Sequence, residues 1–109
     1  MECIFCKIIN KEASADIVYE DDKVIAFKDI KPKAPIHLLI VPKKHINSVN
    51  EINSEDKDLV GEIFLVAKKI AQDFGIKEIG YNLLINVGQG GGQEIPHLHI
   101  HLMGDKDKN

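Results

Sequence analysis

Apolar and polar positions along the chain predict one long amphipathic helix. From residue 55 to residue 74, apolar side chains recur at intervals of three and four, which places them on one helical face. Ser54 is the expected N-cap, and the acidic residues that follow it suit the first turn of a helix. Gly75 suits the position just after the last turn. The predicted apolar face comprises Leu59, Ile63, Val66, Ala67, Ile70 and Phe74.

The rest of the pattern predicts five short strands and a short N-terminal helix. Residues 36–41 form an almost continuous apolar run that ends at Pro42, which is typical of a central strand. The other predicted strands are residues 15–20, 23–29, 81–87 and 97–103, and the short helix is residues 4–11. Three strands precede the long helix and two follow it. This order favours an α+β fold with a five-stranded antiparallel sheet over a doubly wound parallel sheet.

The length and the charge of the chain limit the number of domains and the kinds of molecule that it can bind. The chain has 109 residues, and we expect residues 1–109 to form one domain. The net charge is -3 and all 14 basic residues are lysines, without the basic patch that binds nucleic acid. Without arginine, an anion must be held by histidine, lysine or backbone N–H groups. No signal peptide or membrane-spanning stretch is evident, so we expect a cytoplasmic protein with no membrane partner.

Three histidines alternate near the C-terminus and carry the strongest chemical signal. In a strand, His97, His99 and His101 would share one face, while the apolar residues between them fill the other. Such a face suits two schemes. The imidazoles could bind a catalytic metal, or one could act as a nucleophile while its neighbours orient it and hold an anion. The absence of a convincing carboxylate cluster nearby favours the nucleophile.

The two cysteines are spaced as Cys3-x-x-Cys6. This spacing is compatible with half of a zinc site, a redox pair or a disulfide. The position at the very start of the chain weakens the redox interpretation, and a cytoplasmic setting weakens the disulfide. Zinc requires two further ligands, which histidines could supply.

A glycine-rich segment, residues 88–96, leads into the histidines and delivers Gln93 just before them. It lacks the following helix of a dinucleotide fingerprint and the Gly-Lys-Ser/Thr of a P-loop. Its glycines instead allow close backbone approach to a ligand. Three polar residues at strand positions also suit a ligand site. Asp29 could accept hydrogen bonds from ribose hydroxyls, His37 interrupts an apolar strand, and Asn86 could contact phosphate or close the loop.

Taken in order, these motifs resemble those of the histidine-triad nucleotide-binding family. The His-x-His-x-His motif is followed by apolar residues, as in that family, and the resemblance covers nearly the whole chain. Its small Hint-type phosphoramidases are the most similar branch. A glutamate follows Gln93 where some relatives carry serine, and the chain ends soon after the motif. The matching segments are residues 3–9, 19–22, 26–30, 37, 40–45, 91–93 and 97–103.

The resemblance implies a nucleotide hydrolase or transferase with this α+β fold. His99 would attack the α-phosphorus of a nucleoside phosphoramidate or related conjugate and form a nucleotidyl-histidine, and water would then release the nucleoside monophosphate. His101 would stabilise the phosphoryl oxygens, Gln93 would hydrogen-bond near the nucleophile or leaving group, and His37 would complete the polar cluster. A purine nucleotide of the AMP or GMP type would contact the residues Phe5, Ile8, Phe27, Asp29, Ile30, Asn86, Gln93, His99 and His101.

The resemblance also implies a structural zinc ion and a homodimer. Zinc-containing relatives use the first histidine of the motif as a ligand, which gives the set Cys3, Cys6, His45 and His97 here. Family members of this size pair through the long helix and a sheet edge. Three other functions remain open: a nucleotide-binding or interaction module with little turnover, a dinucleoside-polyphosphate hydrolase, and a metalloprotein that uses the triad as catalytic ligands.

Overall fold

The computed structural model describes residues 3–107 and contains two helices and five strands. The long helix is α2, preceded by a single 3-10 turn at Ser54–Asp56. Another 3-10 turn, Gln89–Gly91, lies in the glycine-rich segment. The elements in chain order are α1 (Ile4–Ile9), β1 (Ile17–Glu20), β2 (Val24–Lys28), β3 (Ile36–Pro42), α2 (Lys57–Asp73), β4 (Asn82–Leu84) and β5 (Ile100–Gly104).

The five strands form one antiparallel sheet in the order β1-β2-β3-β5-β4, which confirms the predicted fold class. The central strand is β3, as its apolar run indicates. It pairs with β2 on one side and with β5 on the other, where Leu39 lies opposite His101. The last strand of the chain is therefore held in the middle of the sheet, and β4 forms an edge.

The sheet buries both of its faces, one against each helix. Leu38 and Ile40 of β3 face α2, together with Leu102 of β5, in the larger apolar cluster. Leu39 and Val41 point the opposite way and pack in a second cluster that includes residues of α1. Successive residues of a strand alternate between faces, so a strand covered on both faces must be apolar at nearly every position.

The histidine strand begins later than predicted. Its pattern indicates residues 97–103, but β5 spans Ile100–Gly104 and its first part runs outside the sheet. The backbone N–H of Leu98 donates to the carbonyl of Ile46 at 2.6 Å, and that of His97 donates to Ile95 at 2.8 Å. These partners lie outside the sheet, so residues 97–99 do not join the ladder. Similarly, only Asn82–Leu84 of the predicted strand 81–87 is paired with β5.

The ends of the long helix follow the sequence pattern with one correction. The N-cap of α2 is Asp56 rather than Ser54, because residues 54–56 form a 3-10 turn ahead of the helix, and Asn53 caps that turn. The carboxylate of Asp56 accepts the Asn53 backbone N–H at 3.1 Å and the Lys44 ammonium at 2.6 Å. Gly75 has φ +75°, a left-handed conformation that glycine adopts without strain. Within residues 3–107, no helix is long and apolar enough to cross a membrane.

Candidate active site and metal centre

The structure brings three of the predicted catalytic histidines together on the α1 side of the sheet. The ring centroids of His99 and His101 lie 5.1 Å apart, and those of His37 and His101 lie 5.2 Å apart. His37 and His99 are buried, while His101 is half-buried. The alternation noted in the sequence persists, since Leu98, Ile100 and Leu102 lie in the apolar cluster on the α2 side.

Hydrogen bonds fix the tautomers of His37 and His101. The backbone N–H of Lys33 donates to His37 Nδ1 at 3.0 Å, so this nitrogen must carry a lone pair. The proton of neutral His37 is therefore on Nε2, which donates to His101 Nδ1 at 2.9 Å. His101 Nδ1 is then an acceptor, and neutral His101 carries its proton on Nε2. The chain of bonds prepares His101 to donate a hydrogen bond to an anion.

His99 has the opposite tautomer. Its Nδ1–H donates to the backbone carbonyl of His97 at 2.7 Å, which leaves Nε2 as the nitrogen that carries the lone pair. The edge of the Phe5 ring packs against the imidazole, with centroids 5.1 Å apart. Only 6% of His99 is exposed, so its orientation is held by both packing and a hydrogen bond. A neutral imidazole fixed in this way presents a nucleophilic nitrogen.

The same geometry argues against a catalytic metal on these histidines. Asp29, His37 and His101 lie close together, with Asp29 Oδ2 3.4 Å from His37 Nε2. A metal there would need a lone pair on His37 Nε2, but the Lys33 N–H already occupies the lone pair on Nδ1. Burial and the nearby His99 and His37 lower the pKa of His101, which favours its neutral form.

Two cysteines and two histidines meet beside this cluster, although they are separated by up to 94 residues in sequence. One donor atom from each of the four residues lies within 4.8 Å of the others. Cys6 Sγ is 3.0 Å from His45 Nδ1, and Cys3 Sγ is 3.3 Å from His97 Nδ1. The two sulfur atoms are 3.3 Å apart, and both thiols are free. The set gives two sulfur and two nitrogen donors, a common combination for structural zinc.

Both histidines of this cluster have the tautomer that a metal requires. His97 Nε2–H donates to the carbonyl of Pro42 at 2.8 Å, and His45 Nε2–H donates to Asn47 Oδ1 at 2.7 Å. Their Nδ1 lone pairs therefore face the cysteines. A metal-binding histidine ordinarily donates its other N–H to a carbonyl or carboxylate in this manner.

The pKa values of the four groups are shifted in different directions by burial and by their mutual hydrogen bonds. Burial alone would raise the pKa of Cys6, but hydrogen bonds with His45 and Cys3 outweigh it and lower that pKa. Burial is the main cause that raises the pKa of Cys3 and lowers the pKa of His97. The hydrogen bond to Cys6 raises the pKa of His45. Cys6 and His45 thus each favour the charged form of the other, and a bound metal cation would favour the Cys6 thiolate in the same way.

The glycine segment is closed by the side chains of Gln93 and Asn86. Gln93 Oε1 accepts the backbone N–H of Gly88 at 2.9 Å, and its Nε2 donates to the carbonyls of Asn47 and Ile95 at 2.7 and 2.9 Å. Asn86 Nδ2 donates to the carbonyl of Gly91 at 2.8 Å. Both amides therefore bond to backbone groups in this structure. Asn86 closes the loop, one of the two roles that the sequence allows.

The predicted nucleoside contacts are placed in two groups. Phe5, Ile8 and Phe27 are buried together in the smaller apolar cluster, with the rings of Phe5 and Phe27 5.5 Å apart. Ile30 is 90% exposed and lies at the surface, where a flat base could cover it. Asp29 Oδ1 accepts the Lys31 N–H at 2.8 Å, which orients the carboxylate near His37.

Three groups that orient the histidines of the site could not be predicted from the sequence. They are the backbone N–H of Lys33, the carbonyl of Pro42 and the side chain of Asn47. Backbone groups have no residue-type signal, so only the fold reveals the first two. Asn47 follows His45 by two residues in a loop, and this proximity was its only sequence signal.

Comparison with known proteins gives consistent results. Residues 2–109 match a family model described as "Scavenger mRNA decapping enzyme C-term binding". The purine nucleoside phosphoramidase of Escherichia coli K12 is 49% identical over 105 residues, which cover 96% of this chain and 88% of that protein. A HIT family hydrolase from Legionella pneumophila has a TM-score of 0.93 at 51% identity, covering 94% of this chain and 92% of that one. A HIT family hydrolase from Clostridium thermocellum has a TM-score of 0.94 at 49% identity, covering 99% and 94% respectively.

Proposed function

The chain belongs to the histidine-triad (HIT) family of nucleotide hydrolases, and from that premise we propose that it hydrolyses purine nucleoside phosphoramidates at the α-phosphorus. The E. coli relative named purine nucleoside phosphoramidase supports this substrate class. The observation that carries the proposed chemistry is the hydrogen bond from His99 Nδ1–H to the His97 carbonyl. It leaves the Nε2 lone pair of His99 directed away from the backbone, beside the donor His101.

The proposed reaction has two steps. His99 Nε2 attacks the α-phosphorus, a nitrogen–phosphorus bond forms, and the bond to the leaving amine breaks. The amine departs with the bonding electrons and takes up a proton. Water then attacks the nucleotidyl-histidine, the His99–phosphorus bond breaks, and a nucleoside monophosphate is released. The covalent intermediate divides one difficult displacement into two easier ones.

Charge that develops on the phosphoryl oxygens is stabilised by His101. Its Nε2–H is fixed as a donor by the bond that His101 Nδ1 accepts from His37. Backbone N–H groups of the glycine segment add further donors near the anion. Gln93 contributes by holding the segment at Gly88, and its amide can also exchange a backbone partner for the leaving group. No arginine is present to share this task.

The nucleoside is proposed to lie beyond the histidines, along β2 and the loop that follows it. Ile30 supplies the exposed apolar contact for the base, and Phe5, Ile8 and Phe27 form the buried apolar cluster on the proposed nucleoside side. The Asp29 carboxylate would accept hydrogen bonds from the ribose hydroxyls, and the Asn86 amide would exchange its bond to the Gly91 carbonyl for one to the phosphate.

A kinetic panel tests the proposed substrate class. Adenosine and guanosine 5′-phosphoramidates should be converted to the monophosphates with higher kcat/KM than dinucleoside polyphosphates. Faster cleavage of the polyphosphates would assign the chain to that other class of hydrolase. Tight nucleotide binding without turnover of any member would identify a binding module instead.

We further propose that Cys3, Cys6, His45 and His97 hold a structural zinc ion. Two thiolates and two imidazole Nδ1 atoms would complete a closed tetrahedral site. Bound zinc would join the N-terminal helix to the segment just before β5. His97 supplies its ring to this site and its carbonyl to His99, so the metal would fix the peptide unit that orients the nucleophile.

Metal analysis provides the first prediction. Protein purified without chelator should contain about one zinc ion per chain, because the donor set is complete within one chain. Removal of zinc should lower the melting temperature, since binding to the folded state contributes to its stability. A Cys6→Ser variant should lose the metal, whereas Ser48→Ala, outside the cluster, should retain it. Wild-type protein that takes up no stoichiometric zinc would contradict the site.

A homodimer is the second prediction, with the edge strand β4 and helix α2 as the proposed interface. Phe64 and Leu65 of α2 are 43% and 58% exposed, and Leu83 and Leu84 of β4 are 38% and 45% exposed. A two-fold partner that pairs with β4 would cover these apolar side chains and protect the sheet edge. Light scattering at micromolar concentration should give twice the mass of the chain, and Leu84→Lys should shift the protein towards monomer. A wild-type monomer would rule out this interface.

A further inference from the structure

We propose that Asn47 is a positioning residue that links the metal centre to the glycine segment. It forms hydrogen bonds in both directions. Its side-chain Oδ1 accepts the Nε2–H of His45 at 2.7 Å, and its backbone carbonyl accepts an Nε2–H of Gln93 at 2.7 Å. Gln93 Oε1 in turn accepts the backbone N–H of Gly88 at 2.9 Å. Three consecutive hydrogen bonds thus connect a proposed metal ligand to the glycine segment, which is proposed above to supply N–H groups to the substrate phosphate.

The first bond acts on the metal ligand. His45 is exposed, so packing alone does not hold its imidazole. The bond to Asn47 selects the tautomer with the proton on Nε2 and turns the Nδ1 lone pair towards Cys6. Removing such a partner from a metal-binding histidine typically lowers metal affinity about 10- to 100-fold.

The second and third bonds act on the glycine segment. Residues 45–47 run beside the segment before β5, and the pairing of Ile46 with Leu98 keeps the two segments together. Metal binding immobilises His45, which restrains the Asn47 side chain and keeps the adjacent carbonyl directed at Gln93. Gln93 then holds Gly88 at the start of the 3-10 turn. The metal would in this way order the glycine segment that is proposed to bind phosphate, without contacting the substrate.

This inference rests on the proposed metal site and assigns no chemical step to the metal. The connection through Asn47 leads to the glycine segment at Gly88, whereas the connection through the His97 carbonyl leads to the proposed nucleophile His99. The two links can therefore be separated by substitution, since Asn47 is outside both the metal ligands and the histidine cluster.

The test measures zinc affinity and loop protection in the full-length protein. Zinc affinity is obtained by competition with a chromophoric chelator, and amide exchange of residues 86–93 by mass spectrometry with and without zinc. Asn47→Ala should weaken zinc binding about 10- to 100-fold, and Asn47→Asp, which keeps an acceptor, should restore most of it. Asn50→Ala is the matched control, because the side chain of Asn50 makes no hydrogen bond within residues 3–107.

The exchange data separate the link from a local effect on His45. In the wild type, zinc removal should accelerate exchange in residues 86–93. At zinc concentrations that saturate each variant, Asn47→Ala and Gln93→Ala should both exchange rapidly and respond little to zinc removal. Equal zinc affinity in Asn47→Ala and Asn50→Ala, or wild-type exchange that is insensitive to zinc, would overturn the role of Asn47. Those results leave the metal site intact, whereas a wild type that binds no zinc refutes the site and the link together.

Discussion

Replacing His99 with alanine is expected to abolish phosphoramidate turnover while the fold and nucleotide binding persist. The substitution removes the atom that forms the covalent bond to phosphorus, so kcat should fall by about 10⁴-fold or more. His99 lies at the edge of the cluster with Phe5 and makes one hydrogen bond to the backbone, so its loss leaves the sheet intact. Steady-state kinetics measure the loss, and calorimetric titration with a nucleoside monophosphate measures binding.

Chemical rescue provides a sharper control for this variant. His99→Gly leaves a cavity in which free imidazole can take the place of the missing ring. Added imidazole should restore part of the phosphoramidate hydrolysis in His99→Gly, while it should have no such effect on His101→Gly. Near-wild-type hydrolysis by His99→Gly without imidazole would eliminate His99 as the nucleophile. A thermal melt of each variant shows whether lost activity reflects lost structure.

The second large effect is expected for His101→Ala, which should lower kcat about 10²- to 10³-fold. That range is typical for the loss of one preorganised donor to an oxyanion. The interaction strengthens as charge develops on the phosphoryl oxygens, so kcat should fall more than substrate affinity. His101→Ala should still form the covalent intermediate, although more slowly, which distinguishes it from His99→Ala.

His37 offers the matched comparison for His101. It acts through the hydrogen bond to His101 Nδ1 and lies farther along the same chain of imidazoles. His37→Ala removes the group that fixes the His101 tautomer but keeps the donor itself, so its kcat should fall less than that of His101→Ala. The double variant should lose little beyond His101→Ala, because both substitutions remove the same function. Fully additive losses would show that the two histidines act separately.

Much of the fold could be predicted because its two layers impose different patterns. Helix α2 has one buried face and shows helical spacing, whereas β3 is covered on both faces and is apolar throughout. The predicted start of β5 is wrong because His97 and Leu98 follow the alternating pattern of a strand, but their backbone N–H groups donate to the carbonyls of Ile95 and Ile46 outside the sheet. An alternating sequence pattern predicts which face of a strand each side chain lies on. It does not predict which other segment the backbone pairs with.

For the candidate site, too, the sequence predicts the side-chain directions better than the backbone partners. The alternation of His97, His99 and His101 indicated a shared face, which the structure reproduces. The tautomer of each imidazole depends on Lys33, Pro42 and other groups that only the folded backbone brings near. The place of Gln93 just before the histidines predicts that it lies near the site, and this stays a prediction. The bonds of Gln93 to three backbone groups could not be predicted, because one of them reaches the carbonyl of Asn47, 46 residues away, and the other two depend on how the glycine segment folds.

Rapid-quench mass spectrometry tests the covalent role of His99 most directly. The protein is mixed with adenosine 5′-phosphoramidate, quenched in base to preserve a phosphorus–nitrogen bond, digested and mapped. The proposed mechanism predicts a transient adenylyl group on the peptide that contains His99, formed during the first turnover and absent from His99→Ala. An adenylyl group on a different residue, or a first turnover that proceeds with no adduct at any quench time, would contradict it.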